Sequence, residues 1–265
     1  MAINGYITNL RNGRFSPDFY AAVGAGLVSG MTRAAVLGHA TNLTTATVYD
    51  LYENASSVPL YPWLTSASTL QVSSSSANDT AAGSGTRTVR IIGLDANYSS
   101  VTEVVTMNGV TPVVTANSFL RVNTFVAVAP SASPTATNAG DITLQKSGGG
   151  NILAIMRVGS NFGNSANFTV PAGSTALVNS LGFSVTGAVA AKAGEVALAH
   201  NGTGAMVVGA RFSIGSGIPY QHEISEGVFL PQRTDVIVRI PSVGQAATDF
   251  SGGFQMLIID NSYFT

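Results

Sequence analysis

The residues of this chain best suited to chemistry are three histidines, thirteen carboxylates and many hydroxyls, with no cysteine among them. Lacking thiols, the chain builds neither a disulfide framework nor a thiolate metal site. His39, His200 and His222 are scattered along it. His222-Glu-Ile-Ser-Glu226 has the outline of a zinc-binding helical motif, yet Glu226 stands where the second histidine belongs. On a strand that step separates the two side chains by roughly 13 Å, too far to share one ion. His222 therefore reads as a surface or interface histidine. Asp95-Ala-Asn97, followed by Tyr98, offers oxygen ligands for calcium, but after a strand this composition is that of an Asx turn.

The nucleotide and nucleophile patterns fail in similar ways. Gly24-x-Gly26-x-x-x-Gly30 approaches a dinucleotide fingerprint with its third glycine one position late and no βαβ context. Gly83-Ser-Gly85-Thr-Arg87 lacks the Lys-Ser/Thr ending of a P-loop and reads as a turn. Gly-x-Ser-x-Gly does not occur; Ile214-Gly-Ser-Gly217 comes nearest and misses the spacing. No spacing singles out two carboxylates as a glycosidase pair. The expectation is a non-enzyme with no catalytic residue, no cofactor and no metal site.

Composition points the same way. Of 265 residues, 45% are hydrophobic and only 9% charged, against roughly 25% charged in ordinary domains. The two lysines, Lys146 and Lys192, leave little of the charge that normally keeps strand edges from pairing with another chain. Such a surface suits a protein largely covered by other subunits. With a net charge of −1 and a pI near 6.3 there is no basic field for nucleic acid, and the ten arginines stand singly. Tyr20–Ala40 is apolar but broken by glycines and Arg33, unlike a membrane span, and Pro17 and Asp18 before it do not fit a signal peptide.

The elements that would position such a surface are short strands. Thr86–Leu94, Val101–Met107, Thr111–Thr115, Phe119–Val128 and Asp141–Gln145 form a run of β-branched and apolar segments. Asn108-Gly109 between two of them predicts a hairpin, because both residues tolerate positive φ. Within Phe119–Val128, strict alternation places Leu120, Val122, Thr124, Val126 and Val128 on one face. Strands are also expected at Thr45–Tyr52, Ser66 onward, Ile152–Val158, Phe168–Gly173 and Thr175–Ala190, the last a long strand or a hairpin bent at Gly182. Glu195–Ala199, Ala205–Ile214, Ile224–Leu230, Thr234–Ile240 and Phe254–Asp260 complete the set. Regular short strands with Gly, Asn and Pro between them predict an all-β fold, an antiparallel β-sandwich or jelly roll. Residues 1–65 read as an irregular, Gly-rich N-terminal arm and anchoring segment, and 66–265 as the sandwich domain, built of one sandwich or two. In Leu60-Tyr-Pro-Trp-Leu64, Trp63 fits a plug at the end of that sandwich rather than a ligand platform.

Several of these segments resemble a known group. Val72–Arg87 followed by Val89–Tyr98, Met107-Asn-Gly109, Ser118–Asn123 and Thr137–Ile142 are similar to segments in structural proteins of tailed bacteriophages, especially phages of aquatic bacteria. Phe168–Ser174 and Leu230–Arg239 share that similarity, which covers roughly residues 60–260. The resemblance implies a virion component with an antiparallel β-sandwich, most like a capsid cement or decoration protein on the capsid exterior. The lack of a long helical signal argues against the major shell protein itself.

On that reading the partners are the major capsid protein and further copies of the chain, as a homotrimer at local threefold positions, without direct nucleic-acid or membrane contact. Arg11, Arg14, Phe15, Phe19 and Tyr20 are the interface candidates, since arginine and aromatics dominate interface hot spots. The alternative is a head-fibre or tail-associated protein whose sandwich binds host-surface carbohydrate through Tyr98, Ser131–Asn138 or Tyr220.

Overall fold

The first and last strands of the described chain lie side by side. In the computed structural model, which describes residues 17–129, 137–187, 193–201, 206–215 and 219–264, a short helix α1 (Pro17–Gly24) precedes β1 (Met31–Leu43) and β2 (Tyr49–Asp50). Then come β3 (Ser68–Ser74), β4 (Thr88–Leu94), β5 (Ser100–Thr106), β6 (Val113–Phe119), β7 (Arg121–Ala129), β8 (Ile142–Lys146) and β9 (Ile152–Met156). The last group is β10 (Asn167–Thr169), β11 (Ser174–Gly187), β12 (Ala193–His200), β13 (Val207–Gly215), β14 (Tyr220–Leu230), β15 (Asp235–Val243) and β16 (Thr248–Asp260). A 3-10 turn, Asn261–Tyr263, closes the described chain.

Four antiparallel sheets result. Two of them, ordered β1-β16-β11-β14 and β10-β15-β12-β13, draw on both ends of the chain. β2 pairs with β15 directly beyond β10: Tyr49 and Asp50 face Ile240 and Arg239, and Asn167 faces Ile237. Between them Leu51 N donates to Val238 O and Val238 N to Ala166 O, while Ala166 N bonds Leu51 O. β2 and β10 are thus one strand cut in two. Counting it once gives orders 1-8-3-6 and 2-7-4-5, the pattern of an eight-stranded jelly roll. Everything from Tyr52 to Ser165, which bridge each other at the stem, is an excursion out of its second strand. That excursion is a second sandwich, of sheets β6-β3-β8-β9 and β5-β4-β7.

The all-β sandwich expectation therefore holds, with its layout corrected at one point and an open alternative decided at another. Residues 31–50 are jelly-roll strands, not an irregular arm: β1 runs beside β16 from Met31–Ile259 to Leu43–Thr248. Its inward residues, Val36, Gly38, Ala40 and Leu43, are buried, but the middle two are small, so hydropathy marks the strand weakly. Gly38 is required there, because any side chain would strike Leu51 O and Ala166. Second, 66–265 takes the two-sandwich alternative: the inserted sandwich plus most of the jelly roll.

The Asn108-Gly109 turn also differs from expectation. Gly109 has the predicted positive φ of 60°. Yet β5 pairs with β4 and β6 with β3, so the turn carries the chain from one sheet to the facing one. Met107 N bonds Arg87 O and Gly109 N bonds Asp79 O, which draws the two strands apart instead of zipping them. In β7 a bulge opposite Ile92/Gly93 breaks the alternation. Val122 and Phe125 point inward, Thr124 outward, and Asn123 is turned toward the jelly roll. Of the two forms expected for Thr175–Ala190, β11 takes the long strand, 14 residues with a bulge between Val178 and Ser180.

One apolar core runs through both sandwiches, with Leu70, Ile91, Phe119 and Leu144 in the insert and Val178, Val238, Phe250 and Phe254 in the jelly roll. α1 closes a smaller core on the outer face of the first sheet, where Phe19, Ala22, Val23 and Val28 meet Leu177, Leu257 and Ile259.

Candidate functional site: the junction between the sandwiches

The densest polar chemistry lies where the inserted sandwich meets the jelly roll. Asp235, the first residue of β15, accepts Arg121 Nε at 2.7 Å and Nη2 at 2.9 Å, a bidentate pair. It also accepts Thr169 Oγ1 at 2.6 Å and Asn201 Nδ2 at 2.9 Å. Arg121 opens β7 of the insert, and its Nη1 donates to Leu64 O at 2.7 Å and Leu120 O at 2.9 Å. The two side chains are only 10% and 4% exposed. Burial works against the Arg121 charge, but the Asp235 carboxylate outweighs it and raises the guanidinium's pKa. Beside them Asn123, aimed by the β7 bulge, exchanges hydrogen bonds of 2.9 Å with both backbone groups of Thr169.

Aromatic rings frame this pair. The Arg121 guanidinium lies 5.2 Å from the Trp63 ring centre and 5.8 Å from that of Tyr98, and Arg233 lies 5.7 Å from Tyr98. Tyr98 and Arg233 hold left-handed φ values of 62° and 66°, so two loops bend toward each other to make this contact. Trp63 continues into edge-on contacts with Tyr61 at 4.7 Å and, through it, Tyr52 at 5.2 Å. Burial pushes the phenols of Tyr52 and Tyr61 upward. The tryptophan is a plug, as its sequence context suggests, but at the junction rather than at a sandwich end.

A second ionic chain crosses the stem. Buried Glu53 accepts Arg157 Nε at 2.8 Å and sits 3.4 Å from His39 Nδ1, while Arg157 Nη1 reaches Asp141 at 2.8 Å. His39 belongs to the jelly roll, whereas Arg157 and Asp141 belong to the insert. The Glu53 hydrogen bond raises the His39 pKa above 6.5 against the effect of burial. Burial pushes Glu53 up, but His39 and Arg157 more than reverse it and leave it below 4.5.

The signs give a pH dependence. The His39 contribution is full below its unfolded value and is lost as pH rises through the higher folded value. The Glu53 contribution is full above its unfolded value and is lost as pH falls through the lower folded one. Wild type should therefore lose up to about 1 kcal/mol, relative to His39→Gln, as pH climbs from the mid-sixes into the alkaline range. Thermal melts of both proteins across that range check this, and parallel curves would exclude the pair.

These carboxylates are committed to holding the chain together. Asp50 pairs with Arg239 at 2.7 Å and takes Tyr61 N at 3.0 Å. Asp95 accepts Asn97 N and Ser99 N at 2.8 and 2.9 Å, the expected Asx turn. Among the described residues no group of three or more His, Cys, Asp or Glu could hold a metal. A cavity beside Tyr61, Asn123, Ser165 and Asn167 has about 20 Å3 of free volume, room for roughly one water.

Of the interface candidates, Arg11, Arg14 and Phe15 lie outside the described residues. Phe19 is 2% exposed in the core beneath α1, and Tyr20, half-buried at its rim, lies edge-on to it at 5.9 Å. Phe19 therefore fixes the helix to the sheet. The carbohydrate candidates do not converge: Tyr98 is clasped by two arginines, Asn138 is buried, and most of Ser131–Asn138 lies outside the described residues. Tyr220 stacks with Phe212 and His222 at the far side of the jelly roll.

The fold and junction define an all-β protein, a jelly roll carrying a second antiparallel sandwich. No family model and no curated protein sequence matches the chain. Among solved structures it is weakly similar to the T=1 particle derived from infectious bursal virus, at 13% identity and a TM-score of 0.24, over 89% of this chain and 71% of that one. That likeness is too slight to bear on function.

Proposed function

We propose that this chain is a non-enzymatic virion structural protein of a tailed bacteriophage, a cement or decoration protein that binds the outside of the shell and clamps neighbouring capsomers. The observation that carries the reading is a jelly roll locked to a second sandwich by buried ion pairs, in a chain only 9% charged. Jelly rolls serve viral capsids, lectins and other proteins alike, so the surface has to decide between them. Here the outer face of the β5-β4-β7 sheet exposes Val104 and Val128, 55% and 45% accessible, beside Thr102 and Thr124, with Arg90 as its charge. Such a face suits lateral contact with other subunits better than recognition of a small polar ligand.

Quantitative mass spectrometry of purified virions tests this. The expected result is a copy number near that of the major capsid protein, with particles lacking this chain losing DNA more readily. A few to a few dozen copies per particle would place the protein in the tail or in fibres and end the cement reading.

A further inference from the structure

The jelly roll covers its strand edges unevenly. On one side, β1 packs on the split second strand, and the stem and inserted sandwich follow. The insert blunts its own edges. The Glu103 carboxylate takes Ala116 N and Asn117 N at 2.7 and 2.8 Å, and Ala127 N and Gly163 N bond Asn161 O and Phe125 O, closing β7. On the opposite side β14 ends the first sheet and β13 the second, and among the described residues no strand pairs with either outer edge. These strands are 11 and 9 residues long, with neither lysine nor proline in them. Strands of typical length have about 5–6 residues, and open edges this long are normally interrupted or charged.

Between these edges Phe212, Tyr220 and His222 gather, with ring centres 5.2 to 6.2 Å apart. Phe229, farther along β14, is 57% exposed. The two edges also differ in sign. β13 carries Arg211, whose side chain is 58% exposed and lies 3.9 Å from Glu195 of β12, and β14 carries the exposed Glu223. A copy pairing like with like would oppose equal charges. A copy that sets its β13 against this chain's β14 opposes unlike ones.

We propose that the β13–β14 side is a self-association surface, on which a second copy of this chain pairs its β13 with β14 by strand addition. The contact is heterologous, and repeated around an axis it closes a ring in which every open edge is used. It deepens the subunit-covered reading above, but its test uses the isolated chain, so a failed virion copy count leaves it standing.

The experiment combines light scattering on the full-length chain with hydrogen exchange at several concentrations. The wild type is expected to run as a multiple of 27.1 kDa. Amides of β13 and β14 should become protected as concentration rises, while β5 and β6 do not change. Arg211→Glu and Glu223→Arg should each shift the mass to that of a monomer, and the combined variant should associate again. A monomeric wild type without edge protection overturns the proposal. Single variants that associate normally, or a combined variant that stays monomeric, overturn it as well.

Discussion

Arg121→Ala lowers the unfolding free energy by about 3–5 kcal/mol, the usual cost of stripping one partner from a buried ion pair. The loss goes beyond a missing bond. Asp235, nearly enclosed at the start of β15, would lose both guanidinium bonds, and the carbonyls of Leu64 and Leu120 would lose a donor. Arg121→Met combined with Asp235→Asn should recover a large part of this, because the buried charge goes and the new side-chain amide can still meet Thr169 and Asn201. The coupling between the two positions should then be on the order of 1–3 kcal/mol. Urea unfolding of wild type, Arg121→Met, Asp235→Asn and the combined variant measures it. If the combined variant is no better than Arg121→Ala, the pair is not the lock between the sandwiches. In wild type the two sandwiches should unfold in one transition, and Arg121→Ala is the change most apt to separate them.

Much of this fold is legible in the sequence, and its failures follow a pattern. Strands with large β-branched residues, such as Thr88–Leu94 or Ser100–Thr106, announce themselves because local alternation is what burial selects. β1 does not, since Gly38 and Ala40 face inward and the residues that make them necessary, Leu51 and Ala166, lie elsewhere in the chain. The Asn108-Gly109 turn is read correctly as a turn and wrongly as a hairpin. Turn residues report φ, whereas the partner of each strand is decided by Asp79 and Arg87 beyond the local window. The jelly-roll order is hidden for a related reason: its second strand is assembled from Tyr49–Leu51 and Ala166–Thr169 across the whole insert. The junction is equally silent. Arg121 and Asp235 are 114 positions apart, and nothing near either one marks it as buried. Asp95, whose role is set by its immediate neighbours, is a case where residue type sufficed.

Asp79→Ala should be among the most damaging single changes in the inserted sandwich, on the order of 4 kcal/mol. The carboxylate has no exposed surface and gathers the loops around it: Thr86 N at 2.7 Å, Ala139 N at 2.9 Å, Gly140 N at 3.0 Å and Ser74 Oγ at 2.5 Å. Its own backbone carbonyl accepts Gly109 N, so the corner between the facing sheets hangs on the same residue. Alanine would leave several donors buried without acceptors, and Gly85, which packs against Asp79 Oδ1 and Ala139, would face a void. Asp79→Asn should fall between, at roughly 2–3 kcal/mol, because one acceptor oxygen survives while the amide NH2 confronts N–H groups that also donate. Hydrogen exchange should locate the damage in residues 74–86, 107–110 and 137–141, with the jelly-roll strands retaining their protection. A loss below about 1 kcal/mol for Asp79→Ala, or exchange spread evenly over both sandwiches, would show that the loops are held by packing and not by this carboxylate.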